Sequence, residues 1–289
     1  MTDPTPDAPA FSVIIPTYGR PRWLTEAIDS VLAQTVQDFE LIVVDDASPE
    51  PVRVGPDPRI RLIRRDANGG AAAARNTGVE AAAGRYLTFL DDDDVYTQER
   101  LALGAEGMQR GPLAVCWLGI PLGGEDTPTA WRQLRANEDR SLEGRVDDVI
   151  LEGLPPHLGQ VTIARDAFLP FEPRFLTAED IEWWIRASLA LPVVTVPKVG
   201  YRKRKHEESR LNYRHQVRID SNLLVLEEHA GYFAARPKAA ARRWRSQAIF
   251  AGRLGDRRAQ REALRRSFAL DRRASTLQAL ARTYVPAGG

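Results

Sequence analysis

One cysteine stands among 289 residues. No disulfide can therefore close within the chain, which fits a reducing compartment. Cys116 lies inside the apolar stretch 113–120 and reads as a small core residue. The four histidines are scattered, and His157, His215 and His229 have no partners at zinc-site spacing. No apolar run approaches the roughly 20 residues of a membrane span. Residues 1–10 hold two acids, three prolines and no base, so they do not read as a signal peptide. These absences lead us to expect a cytoplasmic chain with a flexible stretch at 1–10. Net charge is nearly lacking too, at +1, but it is unevenly placed. Residues 231–289 carry 14 Arg or Lys against three acids, a balance of +11 that leaves the rest near −10. That basic segment is either a solvated helical face or a peripheral contact with anionic lipid or a protein. No nucleic-acid motif accompanies the charge, so no nucleic-acid partner is expected.

A further absence follows the first strand. Phe11-Ser-Val-Ile-Ile-Pro-Thr-Tyr18 begins apolar and β-branched, the mark of a strand buried on both faces. Pro16 is expected to close it, since proline cannot donate to a central ladder. No Gly-x-Gly-x-x-Gly comes next, which argues against a nicotinamide oxidoreductase and a sugar nucleotidyltransferase.

What is present is an alternation of strands and helices. Pro21–Gln34 carries an apolar helical stripe, and proline suits its first turn. Further strands are predicted at 39–44, 60–64 and 86–90, with an alanine-rich helix over 69–83. This pattern implies right-handed crossovers and a mainly parallel sheet covered on both faces, an α/β fold. In such sheets ligands sit beyond the carboxyl ends of the strands. Three strands end in polar residues: Thr17-Tyr18, Asp45-Asp46 and Asp91-Asp92-Asp93-Asp94. All three clusters should meet in one crevice. Downstream, strands are predicted at 113–120, 160–163 and 193–196, with a helix over 178–190. From Glu207 onward the chain reads as mainly helical, broken near Pro237 and Gly255, with a helical hairpin at 239–254 and 256–270.

The acidic run admits a chemical reading. Neighbouring carboxylates repel one another and stay ionised most readily with a cation between them. Hard divalent cations accept carboxylate and phosphate oxygens together, so Mg²⁺ or Mn²⁺ is the expected cofactor. The alternative is a solvated turn, with Asp94 capping a helix over 97–110.

The ordered set then resembles a known family. Val13-Ile-Ile-Pro-Thr-Tyr-Gly-Arg-Pro21, Ala33-Gln-Thr35, Phe39-Glu-Leu-Ile-Val-Val-Asp-Asp-Ala-Ser48, Asn68-Gly-Gly70 with Ala74-Arg-Asn-Thr-Gly78, and Tyr86-Leu-Thr-Phe-Leu-Asp-Asp-Asp-Asp94 together look like the family 2 glycosyltransferases. The likeness is strong over about 11–110 and looser over 157–206. It implies a GT-A fold, a Rossmann-like sheet that binds a nucleotide-diphosphate sugar, and inverting transfer. It divides the chain into a catalytic domain at 11–206, with a nucleotide-sugar half (11–110) and an acceptor half (111–206), and a basic helical extension at 207–289.

By the same resemblance, Thr17, Tyr18 and Arg20 line the nucleotide pocket. Asp46 meets the base, with Asp45 as a less certain partner. Asn68, Gly69 and Arg75 lie beside the nucleoside. In the acidic run Asp93 is the best metal ligand and Asp91 also frames the family's Asp-x-Asp. Asp91 or Asp92 meets ribose or sugar, with a register open by one residue. Glu179-Asp180 matches the family's Glu-Asp motif, making Asp180 the general base and Glu179 its helper. Trp183 and Trp184 either stack on an acceptor sugar or belong to the core. Tyr201-Arg-Lys-Arg-Lys-His206 resembles a Tyr-Arg-x-His segment with basic residues inserted. His206 would bind metal or pyrophosphate, or belong to a solvated loop. The implied partners are a nucleotide-diphosphate sugar, with UDP the commonest carrier and dTDP or GDP open, and a glycan, lipid-linked or small-molecule acceptor. A homo-oligomer and a scaffold that binds nucleotide sugar without catalysis also stay open. A receiver-type signalling domain shares paired acids after a strand, but it would end near residue 120 and leaves Asp180 unexplained.

Overall fold

The structure, a computed structural model, describes residues 8–122, 156–204 and 215–284. Strand β1 (Phe11–Thr17) is buried at every position, as its two-faced apolar run requires. It lies between β2 (Phe39–Asp45) and β4 (Tyr86–Phe89), parallel to both, and β3 (Ile60–Arg64) flanks β2 in parallel. Pro16 does not close β1, which continues to Thr17. Pairing with β4 has already ended at Ile14, so the missing Pro16 N–H is not needed on that side.

Helix α1 (Pro21–Leu32) opens with its proline and buries Leu24, Ala27, Ile28 and Val31. Helix α2 (Gly70–Ala81) crosses the opposite face. Gly78 permits that approach, because a Cβ there would meet Ile14 Cγ2 at 2.5 Å.

The second half makes the sheet mixed. Its order is β3-β2-β1-β4-β7-β6-β8-β5, with β5 (Val95–Tyr96), β6 (Leu113–Leu122), β7 (Val161–Ala164) and β8 (Val193–Arg204). The junctions β4–β7, β7–β6 and β8–β5 are antiparallel, while β6–β8 is parallel. The short β5 was not expected. Nor was the reach of β8 through Tyr201–Arg204, where a basic composition suggested a loop. Tyr201 is fully buried there, while Arg202 is exposed and Lys203 lines the cleft described below.

Helix α3 (Arg100–Met108) places a buried Arg100 at the sheet's change of direction. Its guanidinium donates to Thr88 Oγ1 (2.8 Å), Thr162 Oγ1 (2.9 Å), Gly159 O (3.0 Å) and Val161 O (2.6 Å). Helix α4 (Glu179–Ala190) follows β7. Cys116 is a buried free thiol, as expected.

The C-terminal part is helical: α5 (His215–Glu228), α6 (Ala230–Ala234), α7 (Pro237–Arg253), α8 (Arg257–Leu270) and α9 (Ala274–Arg282). Gly255, at φ 77°, turns α7 into α8, and Asp256 caps α8 by accepting the Ala259 N–H at 2.9 Å. These helices share the core of the α/β part: Val225, Tyr232, Phe233, Ala239 and Ala240 join one cluster with Ile14, Phe89, Trp183 and Trp184. The pair α7 and α8 has its own small cluster of Ala248, Ala263 and Leu264. Among the described residues, no helix is long and apolar enough to cross a membrane.

Candidate active site

The polar strand ends do converge. They open into a cleft of about 890 Å³ lined by Thr17, Tyr18, Asp46, Asp91 to Asp94 and Asp180, among others. On its floor the Thr17 hydroxyl donates to Asp92 Oδ2 at 2.7 Å. Arg20 reaches both Asp92 Oδ1 (3.0 Å) and Asp93 Oδ2 (2.7 Å). Burial works against the Arg20 charge, but these carboxylates outweigh it and raise the guanidinium pKa.

Beside them, Asp46 draws in the start of α2. Its carboxylate accepts the Gly69 N–H at 3.0 Å and the Gly70 N–H at 2.8 Å, and it pairs with Arg65. Asn68 Nδ2 donates to the Asp46 carbonyl at 3.1 Å. Gly70, at φ 82°, turns its N–H toward Asp46 in a conformation glycine adopts without strain. Asp45 has a different place. It is absent from the cleft lining, and its carboxylate accepts the Ser48 N–H at 2.8 Å and pairs with Arg64. As the last residue of β2 its side chain alternates away from that of Asp46, so the expected role of Asp45 in binding donor is corrected to closing the turn.

In the acidic run, Asp91, Asp93 and Asp94 offer oxygens within 4.8 Å of one another. Asp92 stands apart, tied to Thr17 and Arg20. Asp94 does not cap a helix. Its carboxylate takes the Tyr201 hydroxyl and the Arg204 N–H (2.7 Å), so β8 holds it in the cluster. Burial pushes Asp94 up to about 8, with the charges of Asp91 and Asp93 adding to it. Burial likewise raises Asp92 to about 6. Burial opposes ionisation of Asp91 as well, yet Arg75, donating at 2.6 Å, overcomes it and holds that carboxyl below its ordinary value. Three clustered hard oxygen donors, one of them holding a proton near neutral pH, suit a divalent cation that would displace the proton.

The Glu179-Asp180 pair begins α4, directly after Ala178 at φ 72°. A left-handed alanine is strained, and here it sits beside the motif. Glu179 receives Arg75 at 3.0 Å, so one buried arginine joins the acidic run to α4. Burial raises Glu179 to about 7, with Asp180 adding and Arg75 opposing. Asp180 also lines the cleft, and its Oδ1 accepts the Ile181 N–H at 2.8 Å.

Trp183 and Trp184 are corrected to core residues. Both are fully buried, their rings pack at 5.1 Å, and their indole N–H groups donate to Leu169 O and Pro156 O at 2.8 Å. Full burial keeps both rings out of the cleft lining, so neither reaches a sugar. His206 lies outside the described residues.

Sequence reasoning also missed several lining residues. His157 lies against Lys203, whose Nζ is 3.2 Å from Nε2, and burial and the Lys203 charge together lower its pKa to about 4. Val217, Arg218, Asn222, Arg243, Ser246 and Phe250 line the cleft from α5 and α7. The sequences of those helices do not show what they pack against.

The profile of Glycosyl transferase family 2 matches residues 12–165, more than half of the chain. The chain belongs to this family. A Bacillus subtilis relative named for teichuronic acid biosynthesis, the glycosyltransferase TuaG, is 30% identical over 184 residues, covering 61% of this chain and 71% of that one. The chain spans only 17% to 26% of the length of the Rickettsia glycosyltransferases it matches. Among solved structures, S. aureus TarS 1-349 in complex with UDP-GlcNAc aligns at TM-score 0.61 and 17% identity, over 94% of this chain and 91% of that one. The mannosyltransferase PcManGT from Pyrobaculum calidifontis, in complex with GDP-Man and Mn²⁺, aligns at 0.59 and 18%, over 97% and 80%. At these identities the structural likeness establishes the fold, which is GT-A.

Proposed function

We propose that this protein transfers a sugar from a nucleotide-diphosphate sugar, a UDP-sugar first, to an acceptor hydroxyl with inversion at the anomeric carbon. The observation that supports this best is the meeting of the Asp91, Asp93 and Asp94 oxygens with Asp180 in one cleft. Asp180 takes the acceptor proton as the acceptor oxygen bonds to the anomeric carbon. The carbon–oxygen bond to the diphosphate breaks on the opposite face, and the nucleotide diphosphate leaves. Glu179 and Arg75 position α4 against the acidic run. Asp46, Asn68 and Gly69 hold the nucleoside beside Thr17, Tyr18 and Arg20. Asp92 meets ribose or sugar. Asp91, Asp93 and Asp94 would hold Mg²⁺ or Mn²⁺, which supplies positive charge against the diphosphate oxygens. Lys203 adds positive charge on the same wall. Relatives named for polysaccharide biosynthesis support a glycan or lipid-linked acceptor.

Two measurements test the reading. UDP-, dTDP- and GDP-sugars, each with and without Mn²⁺, should separate in a thermal-shift screen, since a ligand of the native state raises Tm by mass action. A Tm that none of them moves would sink the proposal. Asp180→Asn should lower turnover by roughly 10²–10⁴-fold while donor binding persists, because the lost group acts on the proton and not on the nucleotide. An Asp180→Asn protein that turns over normally would remove Asp180 as the base.

A further inference from the structure

Arg75 and Arg20 both pair with the acidic run, but they are placed differently. Arg75 is buried and held at both ends, donating to Asp91 Oδ1 at 2.6 Å and to Glu179 Oε1 at 3.0 Å. It belongs to the frame of the cleft. Arg20 comes from the loop before α1, and its side chain is 19% exposed along the cleft wall. One nitrogen, Nη1, serves both Asp92 Oδ1 at 3.0 Å and Asp93 Oδ2 at 2.7 Å. The backbone beneath it is anchored. The Gly19 N–H donates to Ser48 Oγ at 2.9 Å, and the Arg20 carbonyl accepts the Leu24 N–H at 3.1 Å. The side chain can thus change partner while the loop stays in place. Asp93, which Arg20 holds, is also one of the three acids whose oxygens lie within 4.8 Å of one another. The guanidinium and a divalent cation in that cluster would share one carboxylate.

We propose that Arg20 takes the place of the cation on Asp93 and yields it when metal and donor diphosphate enter together, passing then to the diphosphate oxygens. This rests on the transferase reading and adds an order of loading to it. Two cations against one carboxylate repel each other, so Arg20 weakens binding of the metal alone. A diphosphate reverses the sign, because its oxygens accept both the metal and a guanidinium fork. Asp92 keeps a partner when Arg20 leaves, since the Thr17 hydroxyl donates to its other oxygen at 2.7 Å. The main chain of the run is held separately. Arg204 Nε donates to the Asp93 carbonyl at 3.1 Å, and the same guanidinium pairs with Glu26 on α1. A residue that merely oriented Asp93 for the metal would act the other way, and its loss would weaken metal binding.

The test uses the full chain at one pH, with Mn²⁺ followed by the paramagnetic resonance of the free ion and UDP by calorimetry. Each ligand is titrated alone and with the other saturating. In the wild type each should tighten the other by the same factor, about 5-fold or more. Arg20→Gln removes the charge and keeps a hydrogen-bond donor. It should bind Mn²⁺ alone more tightly than the wild type, bind UDP in the presence of Mn²⁺ more weakly, and lose most of the coupling. Opposite shifts in one variant are not the mark of a damaged fold, which would weaken both. If Arg20→Gln does not fold, Arg20→Lys carries the test: an ammonium bridges two carboxylates poorly, so the same changes should appear at smaller size. Mn²⁺ alone bound no more tightly in the variant, or a coupling that the variant leaves intact, would overturn the inference, while UDP binding would uphold the transferase reading. A wild type that binds neither UDP nor Mn²⁺ would overturn that reading itself.

Discussion

Asp92, Asp94 and Glu179 are buried acids that burial pushes up to about 6, 8 and 7. The sign of the consequence follows from linkage. Their folded pKa values lie above those of the unfolded chain, so between about pH 4 and 8 the folded state binds more protons. These three acids lower stability as pH rises through that window; His157, held down to about 4, opposes them only below about pH 6.5, so the net fall is steepest between about pH 6.5 and 8. Asp45 and Glu182 are shifted the other way, and their contribution is lost only as pH falls below the ordinary carboxylate range. We therefore expect the metal-free protein to melt at a lower temperature at pH 8 than at pH 5.5. Mn²⁺ should reverse the trend, because it replaces the proton that Asp94 holds. Glu179→Gln should flatten the metal-free slope by up to about 1.4 kcal/mol per pH unit within that residue's window. A melting temperature in EDTA that rises from pH 5.5 to 8 would refute the account. At this scale the sequence was readable where a residue sits at a strand end, as with Thr17, Asp46 and the acidic run. It was not readable where side-chain direction decides, as with Asp45, Trp183 and Trp184. Pairings such as Arg20 with Asp92, 72 residues apart, leave no local trace.

Among the elements, β1, β2 and β4 were legible because burial on both faces forces continuous apolar runs. The insertion of antiparallel β7 between β4 and β6 was not, since no periodicity encodes which edge a strand joins. Tyr201–Arg204 was hidden by composition: the strand's inward residue, Tyr201, is one apolar side chain in a basic stretch. Arg100 shows what holds this junction. Its four donations tie α3 to β4, to β7 and to the turn before β7. Arg100→Leu would leave two buried carbonyls and two hydroxyls short of a donor. Each unsatisfied group costs roughly 1–3 kcal/mol, and partial regrouping, such as the Thr88–Tyr96 contact, offsets part of the sum. We expect a net loss of about 3 kcal/mol, read as a lower denaturant midpoint. Arg100→Lys should recover only part of it, since an ammonium cannot span the same acceptors. A midpoint that leucine leaves unchanged would show that the junction is held by packing alone.

For the whole molecule, the question is whether the α/β part stands without the helices that follow it. A boundary after residue 206 follows the shift from an α/β pattern to a basic helical one. The core crosses that line: Val225, Tyr232 and Phe233 pack in one cluster with Trp183, Trp184 and Ile14. Burying three such side chains contributes roughly 1.5–3 kcal/mol each, so roughly 5–9 kcal/mol depends on α5 and α6. That is comparable to the whole stability of a typical domain, about 5–15 kcal/mol. The outer helices differ, because α8 meets α7 chiefly through Ala248, Ala263 and Leu264, and α9 packs on that cluster through Ala279 and Leu280, outside the main core. Two truncations separate these cases. A chain ending at residue 255 keeps α5 to α7, with Arg218 and Arg243, and should unfold cooperatively at a modestly lower temperature while still binding donor. A chain ending at residue 206 exposes the Trp183 side of the core and should aggregate or melt without a cooperative transition. If the shorter chain instead folds and binds UDP-sugar with Mn²⁺ as the full chain does, the helices are an appendage and the shared core does not hold the sheet together.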